Sequence, residues 1–97
     1  MQNFYYVYIL IDTETEMHHY VGFTQDLSEG LAKHNAGEVP HTSKFKPWKV
    51  EAYFAFETKE KATALEAYLK TGSGHAFANG ISETVKKTHS PLVNAGD

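Results

Sequence analysis

Residues 4–24, FYYVYILIDTETEMHHYVGFT, decide the fold of this chain. Residues 4–11 are rich in aromatic and β-branched side chains, which predicts a strand. The nearly continuous apolar character of this strand is typical of a central strand that is covered on both faces. Residues 12–16 form a polar turn, and residues 18–24 are the predicted antiparallel partner. The chain therefore opens with a β-hairpin.

A helix is predicted after the hairpin. It begins near Asp26, whose carboxylate can cap the helix while Glu29 reaches back to complete a capping box. Gly37 is well placed to end the helix in a left-handed conformation. Residues 38–47 are predicted to be a loop.

The second half of the chain predicts one more strand and further helices. Residues 48–56 alternate between apolar and polar side chains, which indicates a strand with one buried face. Thr58 caps a second helix, which Gly72 and Gly74 break, and a short helix is predicted over residues 81–87. The expected fold is α+β, in the order β-β-α-β-α plus the short helix, with a three-stranded antiparallel sheet flanked by helices.

Composition limits the class of protein. The chain has 97 residues, 41% of them hydrophobic and 13% aromatic, so we expect one globular domain over residues 1–87 and a loosely held tail over 88–97. No apolar run reaches the roughly 20 residues of a membrane helix, and no secretory signal is visible. Cysteine is absent, which makes the reducing cytoplasm the expected compartment and excludes thiolate metal sites.

The charges argue mildly against nucleic-acid binding. The chain contains nine lysines, twelve acidic residues and no arginine, giving a net charge of −3, whereas duplex binding draws on a basic face. One stretch combines basic and aromatic residues and is the best candidate for contacting a phosphate backbone: Lys44, Lys46, Trp48 and Lys49. A solvated loop beside a buried tryptophan explains the same stretch equally well.

Helical geometry singles out Glu66. Ala62, Leu65 and Leu69 form an apolar stripe on the second helix, and Glu66 lies at its edge. A carboxylate in this position is turned toward the sheet and needs a partner, a proton or a metal ion. The alternative is a side chain whose carboxylate reaches water at the edge of the helix.

Helical geometry also singles out His34 and Gly30 on the first helix. Both lie on the inward-facing stripe of this helix, one turn apart. A glycine inside a helix costs roughly 1 kcal/mol relative to alanine. It is explained either by the close approach of another group or by the loss of a long side chain.

The ordered set of motifs resembles the GIY-YIG nuclease superfamily in its small single-domain form, similar to UvrC N-terminal-like and UPF0213-like members. The resemblance spans roughly residues 4–79 and is carried by these segments: Tyr6-Val7-Tyr8, Tyr20-Val21-Gly22, Asp26-Leu27 with His34-Asn35, Lys46-Pro47-Trp48-Lys49 and Glu66 through Lys70. Tyr6 replaces the glycine of the nominal first motif.

The resemblance implies roles for individual residues. Tyr8 and Tyr20 would line the site, one of them helping to activate the attacking water, and His34 would contact the phosphate region. Glu66 would bind one Mg²⁺ or Mn²⁺. The family's catalytic arginine corresponds to Gly30, and Lys33 is the first candidate to replace its charge.

Three functions follow from these observations. The first is a metal-dependent endonuclease acting on DNA, with weak activity because no arginine is present. The second is an inactive relative that still binds nucleic acid through the lysine-aromatic stretch. The third is a protein-interaction or structural domain that has kept only the fold, which the acidic N-terminal half and the net charge favour. Its partner would be another protein or a second copy of the chain.

Overall fold

The computed structural model describes residues 3–87, and of residues 82–87 the backbone alone. Three strands form one antiparallel sheet in the order β2-β1-β3: β1 is Tyr5–Asp12, β2 is His19–Thr24 and β3 is Trp48–Phe56. The predicted hairpin, the antiparallel sheet and the central position of the first strand are confirmed. The predicted tail over residues 88–97 lies outside the described residues.

The turn of the hairpin is organised by a buried carboxylate at the end of β1. Asp12 accepts hydrogen bonds from the backbone N–H groups of Thr15 (2.8 Å) and His18 (2.9 Å). A carboxylate that accepts several backbone donors holds a turn in one conformation. This turn fixes the register in which Leu10 lies opposite Tyr20 and Tyr8 lies opposite Gly22.

The central strand β1 sends alternate side chains into two different clusters. On one face Val7 and Ile9 belong to an apolar core whose other buried members are Val21, Ala62, Leu69 and Ala78. On the opposite face Tyr8 and Leu10 pack with Trp48. The near-continuous apolar sequence of β1 is explained by this coverage on both sides.

Helix α1, Leu27–Asn35, packs on the Tyr8 face of the sheet. Asp26 caps it by accepting a hydrogen bond from Glu29 N (3.0 Å), and Gly37 ends it with a φ of 78°, both as predicted. The second half of the expected capping box is absent, since the hydroxyl of Thr24 accepts the Asp26 N–H instead (3.0 Å).

Helix α2, Lys59–Leu69, is capped by Thr58 as predicted, through a hydrogen bond from Lys61 N (3.3 Å). The structure corrects the region that follows, because α3 runs over Gly72–Lys87 where only a short helix over 81–87 was predicted. Gly74 does not break this helix. A Cβ there would collide with the carbonyl oxygen of Tyr68, so glycine lets α3 start directly against the end of α2.

Two smaller features complete the described part of the chain. The predicted loop over 38–47 contains one short 3₁₀ helix, Ser43–Phe45. No helix among the described residues is long and apolar enough to cross a membrane.

Candidate active site

A cleft of about 340 Å³ opens where α1, α2 and the β1–β2 hairpin meet. It brings together all five residues that were singled out for chemistry, and Gly30 lies in its wall with them: Tyr8, Tyr20, Lys33, His34 and Glu66. The expectation that Tyr8 and Tyr20 lie close together is confirmed, since the rings of both contact His34, at centroid distances of 5.9 and 4.8 Å.

His34 is held by hydrogen bonds at both ring nitrogens. Its Nε2 lies 2.9 Å from the Tyr8 hydroxyl, and its Nδ1 lies 2.8 Å from Thr42 Oγ1. The Thr42 hydroxyl donates its one proton to the carbonyl oxygen of Val39 (3.2 Å), so it accepts from His34 Nδ1–H. The neutral imidazole therefore keeps Nε2 as an acceptor, and Tyr8 donates to it.

Burial shifts the pKa values of the two titratable groups in this series of hydrogen bonds, Tyr8 and His34, in opposite directions. Burial lowers the pKa of His34, which favours the neutral ring. Burial, followed by the charges of Tyr20 and Glu66, raises the pKa of the Tyr8 phenol to about 12. The phenol thus stays protonated at neutral pH, with an acceptor for its proton already in contact.

Gly22 explains the position of the Tyr8 ring. The two residues are paired across β1 and β2, and a Cβ at position 22 would overlap the end of the Tyr8 side chain. Only glycine leaves room for the phenol to lie across the neighbouring strand. Gly22 of the second motif therefore makes room for Tyr8 of the first motif.

Glu66 enters the cleft from α2. Its side chain is 23% exposed, and Oε2 is paired with Lys70 Nζ at 3.1 Å, one turn further along the helix. This confirms the expected inward-facing, partly desolvated carboxylate with a partner. Glu66 shares the cleft with a second carboxylate, because Glu29 also lines it. The side chain of Glu29 is available there since Thr24, not Glu29, satisfies Asp26 N.

Position 30 can accept a side chain. A Cβ built on Gly30 would make only ordinary contacts with the side chain of Thr24, the nearest at 3.5 Å. No described group approaches closely enough to require glycine here, so the geometry gives no support to the close-approach explanation. Lys33, one turn along α1, is exposed and lines the same cleft.

The predicted nucleic-acid-binding stretch lies outside the cleft. Lys44 and Lys46 are exposed on the segment before β3, and Lys49 pairs with Glu16 at 3.2 Å. Trp48 is only 4% exposed and donates its indole N–H to the carbonyl oxygen of Thr42 (2.9 Å). Of the two interpretations of this stretch, the structure supports the buried tryptophan, so Trp48 does not present an exposed ring to nucleic acid.

The residues of the cleft fit a weakly held divalent cation. Mg²⁺ is commonly bound by one or two carboxylates and keeps several waters, which suits Glu66 with Glu29 in the same cleft. Among the side chains that the structure describes, those of residues 3–81, no three histidine or acidic residues cluster closely enough to enclose a metal ion.

Two residues of this site were missed from the sequence. Thr42 orients His34 although it comes from a loop with no repeating pattern, eight residues along the chain. Asn35 fixes that loop to the sheet by bonding both the backbone N–H and the carbonyl oxygen of Trp48. Only the adjacency of Asn35 to His34 in one motif pointed toward it.

Comparison with known proteins identifies the family. A family model described as the GIY-YIG catalytic domain matches residues 4–79. UPF0213 proteins of Streptococcus pyogenes serotypes M5, M3 and M1 are 35% identical over 66 residues, which cover 67% of this chain and 70% of each relative. No solved structure matches the chain significantly. The chain therefore belongs to the GIY-YIG family of nuclease domains.

Proposed function

We propose that this GIY-YIG domain is a metal-dependent endonuclease that hydrolyses phosphodiester bonds of DNA, and that it does so slowly. The observation that carries the proposal is the hydrogen-bonded chain of Tyr8, His34 and Thr42, which borders the cleft that also holds Glu66. A proton acceptor, its orienting partner and a carboxylate are the components that phosphodiester hydrolysis needs.

Tyr8 and His34 supply the general base. The phenol proton moves to His34 Nε2, 2.9 Å away, while the phenol oxygen takes a proton from the attacking water. The bond from His34 Nδ1–H to Thr42 keeps Nε2 free to receive the proton. Without this acceptor a phenol with a pKa of about 12 would be a poor base at neutral pH.

Glu66 is the residue that would hold Mg²⁺ or Mn²⁺, with waters completing the coordination and Glu29 as a second carboxylate of the same cleft. The cation would supply positive charge to the leaving oxygen as the P–O bond breaks. Glu66 is suited to this role by its partial burial, because a carboxylate that has lost part of its hydration gains more from a cation.

The slow rate follows from the missing guanidinium. Charge that develops on the phosphate oxygens is best stabilised by a fixed donor, and losing one such donor typically costs about 3 to 4 kcal/mol in the transition state. Lys33 lines the cleft and supplies charge, but an ammonium lacks the two-pronged geometry of a guanidinium.

DNA binding would be weak, nonspecific and steeply dependent on salt, because no arginine is available to read base edges. Lys44 and Lys46 are the exposed charges that would contact the backbone. Lys49 contributes less, since Glu16 already neutralises it.

Cleavage of labelled single- and double-stranded DNA with Mg²⁺ or Mn²⁺ tests the proposal. Gly30→Arg should raise the rate by about 10²- to 10³-fold, because the new guanidinium begins at the wall of the cleft. Adding Glu66→Ala should remove this gain. Gly80→Arg is the matched control: it makes the same change inside α3, where a side chain meets only open space.

Two results would contradict the proposal. Robust cleavage by the wild-type protein would show that a lysine already does the work of the guanidinium, and Lys33→Met would identify it. A folded Gly30→Arg protein that cleaves nothing would favour the alternative, an inactive nucleic-acid-binding or protein-interaction domain on the same fold.

A further inference from the structure

Lys70 contacts two residues of the cleft, Glu66 and Tyr20, although it is not among the residues that line the cleft. Its Nζ is 3.1 Å from Glu66 Oε2 and 5.8 Å from the centroid of the Tyr20 ring. The side chain is half exposed, so the ammonium can leave either partner without unfolding the helix. Both partners line the cleft.

The position of this ammonium conflicts with the binding of a divalent cation. Glu66 is the carboxylate to which the proposed function assigns the cation, and one of its two oxygens already faces a positive charge. Two cations beside one carboxylate repel each other, so a divalent ion at Glu66 has to displace Lys70 or be weakened by it.

Tyr20 gives the displaced ammonium a place to remain. A lysine within about 6 Å of an aromatic ring is attracted to the face of that ring. Lys70 also follows the last residue of α2, where the helix dipole favours a positive charge. The ammonium would therefore stay beside the cleft after Glu66 has been taken over.

We propose that Lys70 adds a second positive charge to this site, beside that of Lys33, and competes with the divalent cation for Glu66. It neutralises Glu66 in the metal-free protein, and it contacts the phosphate of the substrate once a divalent cation has taken the carboxylate. This inference rests on the proposed function for the phosphate contact, whereas the competition for Glu66 is independent of any cleavage.

Binding of Mn²⁺ alone, measured by calorimetry, tests the competition. Lys70→Met should bind Mn²⁺ about three- to tenfold more tightly than the wild-type protein, because the competing charge has gone. Lys61→Met is the matched control, since it removes one exposed lysine from the same helix and should leave the affinity unchanged. Lys70→Arg retains the charge and should bind Mn²⁺ like the wild type.

Several results would overturn the competition. Equal Mn²⁺ affinity of Lys70→Met and the wild type would do so, and so would an equal change of affinity in Lys70→Met and Lys61→Met. A lower melting temperature with unaltered Mn²⁺ affinity would show that Lys70 only stabilises the end of α2. Absence of Mn²⁺ binding in both the wild type and Lys70→Met would exclude Glu66 as the ligand.

Binding of a single-stranded oligothymidine phosphorothioate at saturating Mn²⁺ tests the phosphate contact. Here Lys70→Met should weaken binding by about three- to tenfold, the opposite sign to its effect on Mn²⁺, and Lys70→Arg should restore it. Unchanged oligonucleotide affinity would overturn this half of the inference. If no variant cleaves DNA while the Mn²⁺ result holds, the nuclease proposal fails and the competition for Glu66 stands.

Discussion

The two faces of β1 put the same strand to different uses. Toward α2 and α3, Val7 and Ile9 enter a buried cluster made of apolar side chains alone. Toward α1, Tyr8 lies beside His34 and Thr42, which are polar and as deeply buried as the core. Residues that are neighbours in sequence therefore belong to a hydrophobic core on one side and to a hydrogen-bonded site on the other.

The difference shows on which face of the sheet this small domain buries polar side chains. Apolar contacts on the α2–α3 face stabilise the fold without regard to direction, since burial energy scales with area. On the α1 face Tyr8, His34 and Thr42 are linked by hydrogen bonds, and the series ends at a backbone carbonyl, that of Val39. A fully paired series of this kind adds orientation at little cost, whereas a broken one leaves a buried group unsatisfied.

Tyr8→Phe should produce the largest effect, and it should fall on activity. Loss of the hydroxyl removes the proposed base and is expected to lower the cleavage rate about 10²- to 10⁴-fold, measured in the wild type and in Gly30→Arg. Stability should fall by about 1 to 2 kcal/mol, because His34 Nε2 loses its partner. Tyr53→Phe is the control: Tyr53 lies opposite Tyr8 in β3 but is 55% exposed. Equal rates for Tyr8→Phe and its parent would rule out the base.

Ile9→Ala should have the opposite effect, with a large loss of stability and little change in activity. Ile9 is completely buried on the apolar face, and its truncation is expected to cost about 2 to 5 kcal/mol in the free energy of unfolding, measured with urea. Cleavage per folded molecule should change little, because Ile9 points away from the cleft. Met17→Ala, at a side chain 78% exposed, should leave stability unaltered. A large loss of activity in fully folded Ile9→Ala protein would mean that the two faces are coupled.

The apolar face was largely predictable from the sequence. The continuous apolar run of β1 places Ile9 inside, and the 3.6-residue pattern of α2 does the same for Ala62 and Leu69. The length of α3 was not predictable in this way. Gly74 is a helix breaker by local propensity, and only the approach of the Tyr68 carbonyl gives it a structural role.

The α1 face was predictable only in part. His34 and Glu66 were located by helical geometry, and Tyr8 and Tyr20 by the resemblance to a family. The contact of His34 with Thr42 depends on the path of an irregular loop, for which one sequence contains no periodic signal. The burial of Trp48 was left open because a tryptophan beside lysines fits a core and a stacking surface equally well.

The smallest expected difference between the two faces concerns how the free energy of unfolding depends on pH. Burial lowers the pKa of His34 in the folded protein below its ordinary value of 6.5, so the unfolded chain takes up a proton first as the pH falls. The contribution of His34 to stability should thus be constant above about pH 6.5 and decline as the pH falls below it toward the folded-state pKa. Protonation of Nε2 would also end its acceptance of the Tyr8 hydrogen bond, so cleavage by the folded protein should decline at lower pH, as the pH falls through the depressed pKa of His34.

Urea unfolding of the wild type and of His34→Gln at several pH values below 7 measures this contribution. His34→Gln should show a smaller loss of stability on acidification, because the group that must stay neutral in the folded state has been removed. His75→Gln changes an exposed histidine of α3 and should retain the slope of the wild type. If His34→Gln kept the full wild-type slope, the imidazole of His34 would be protonated as readily in the folded protein as in the unfolded chain. The hydrogen bond that prepares Tyr8 would then lack its acceptor at mildly acidic pH, and the α1 face would owe its order to shape alone.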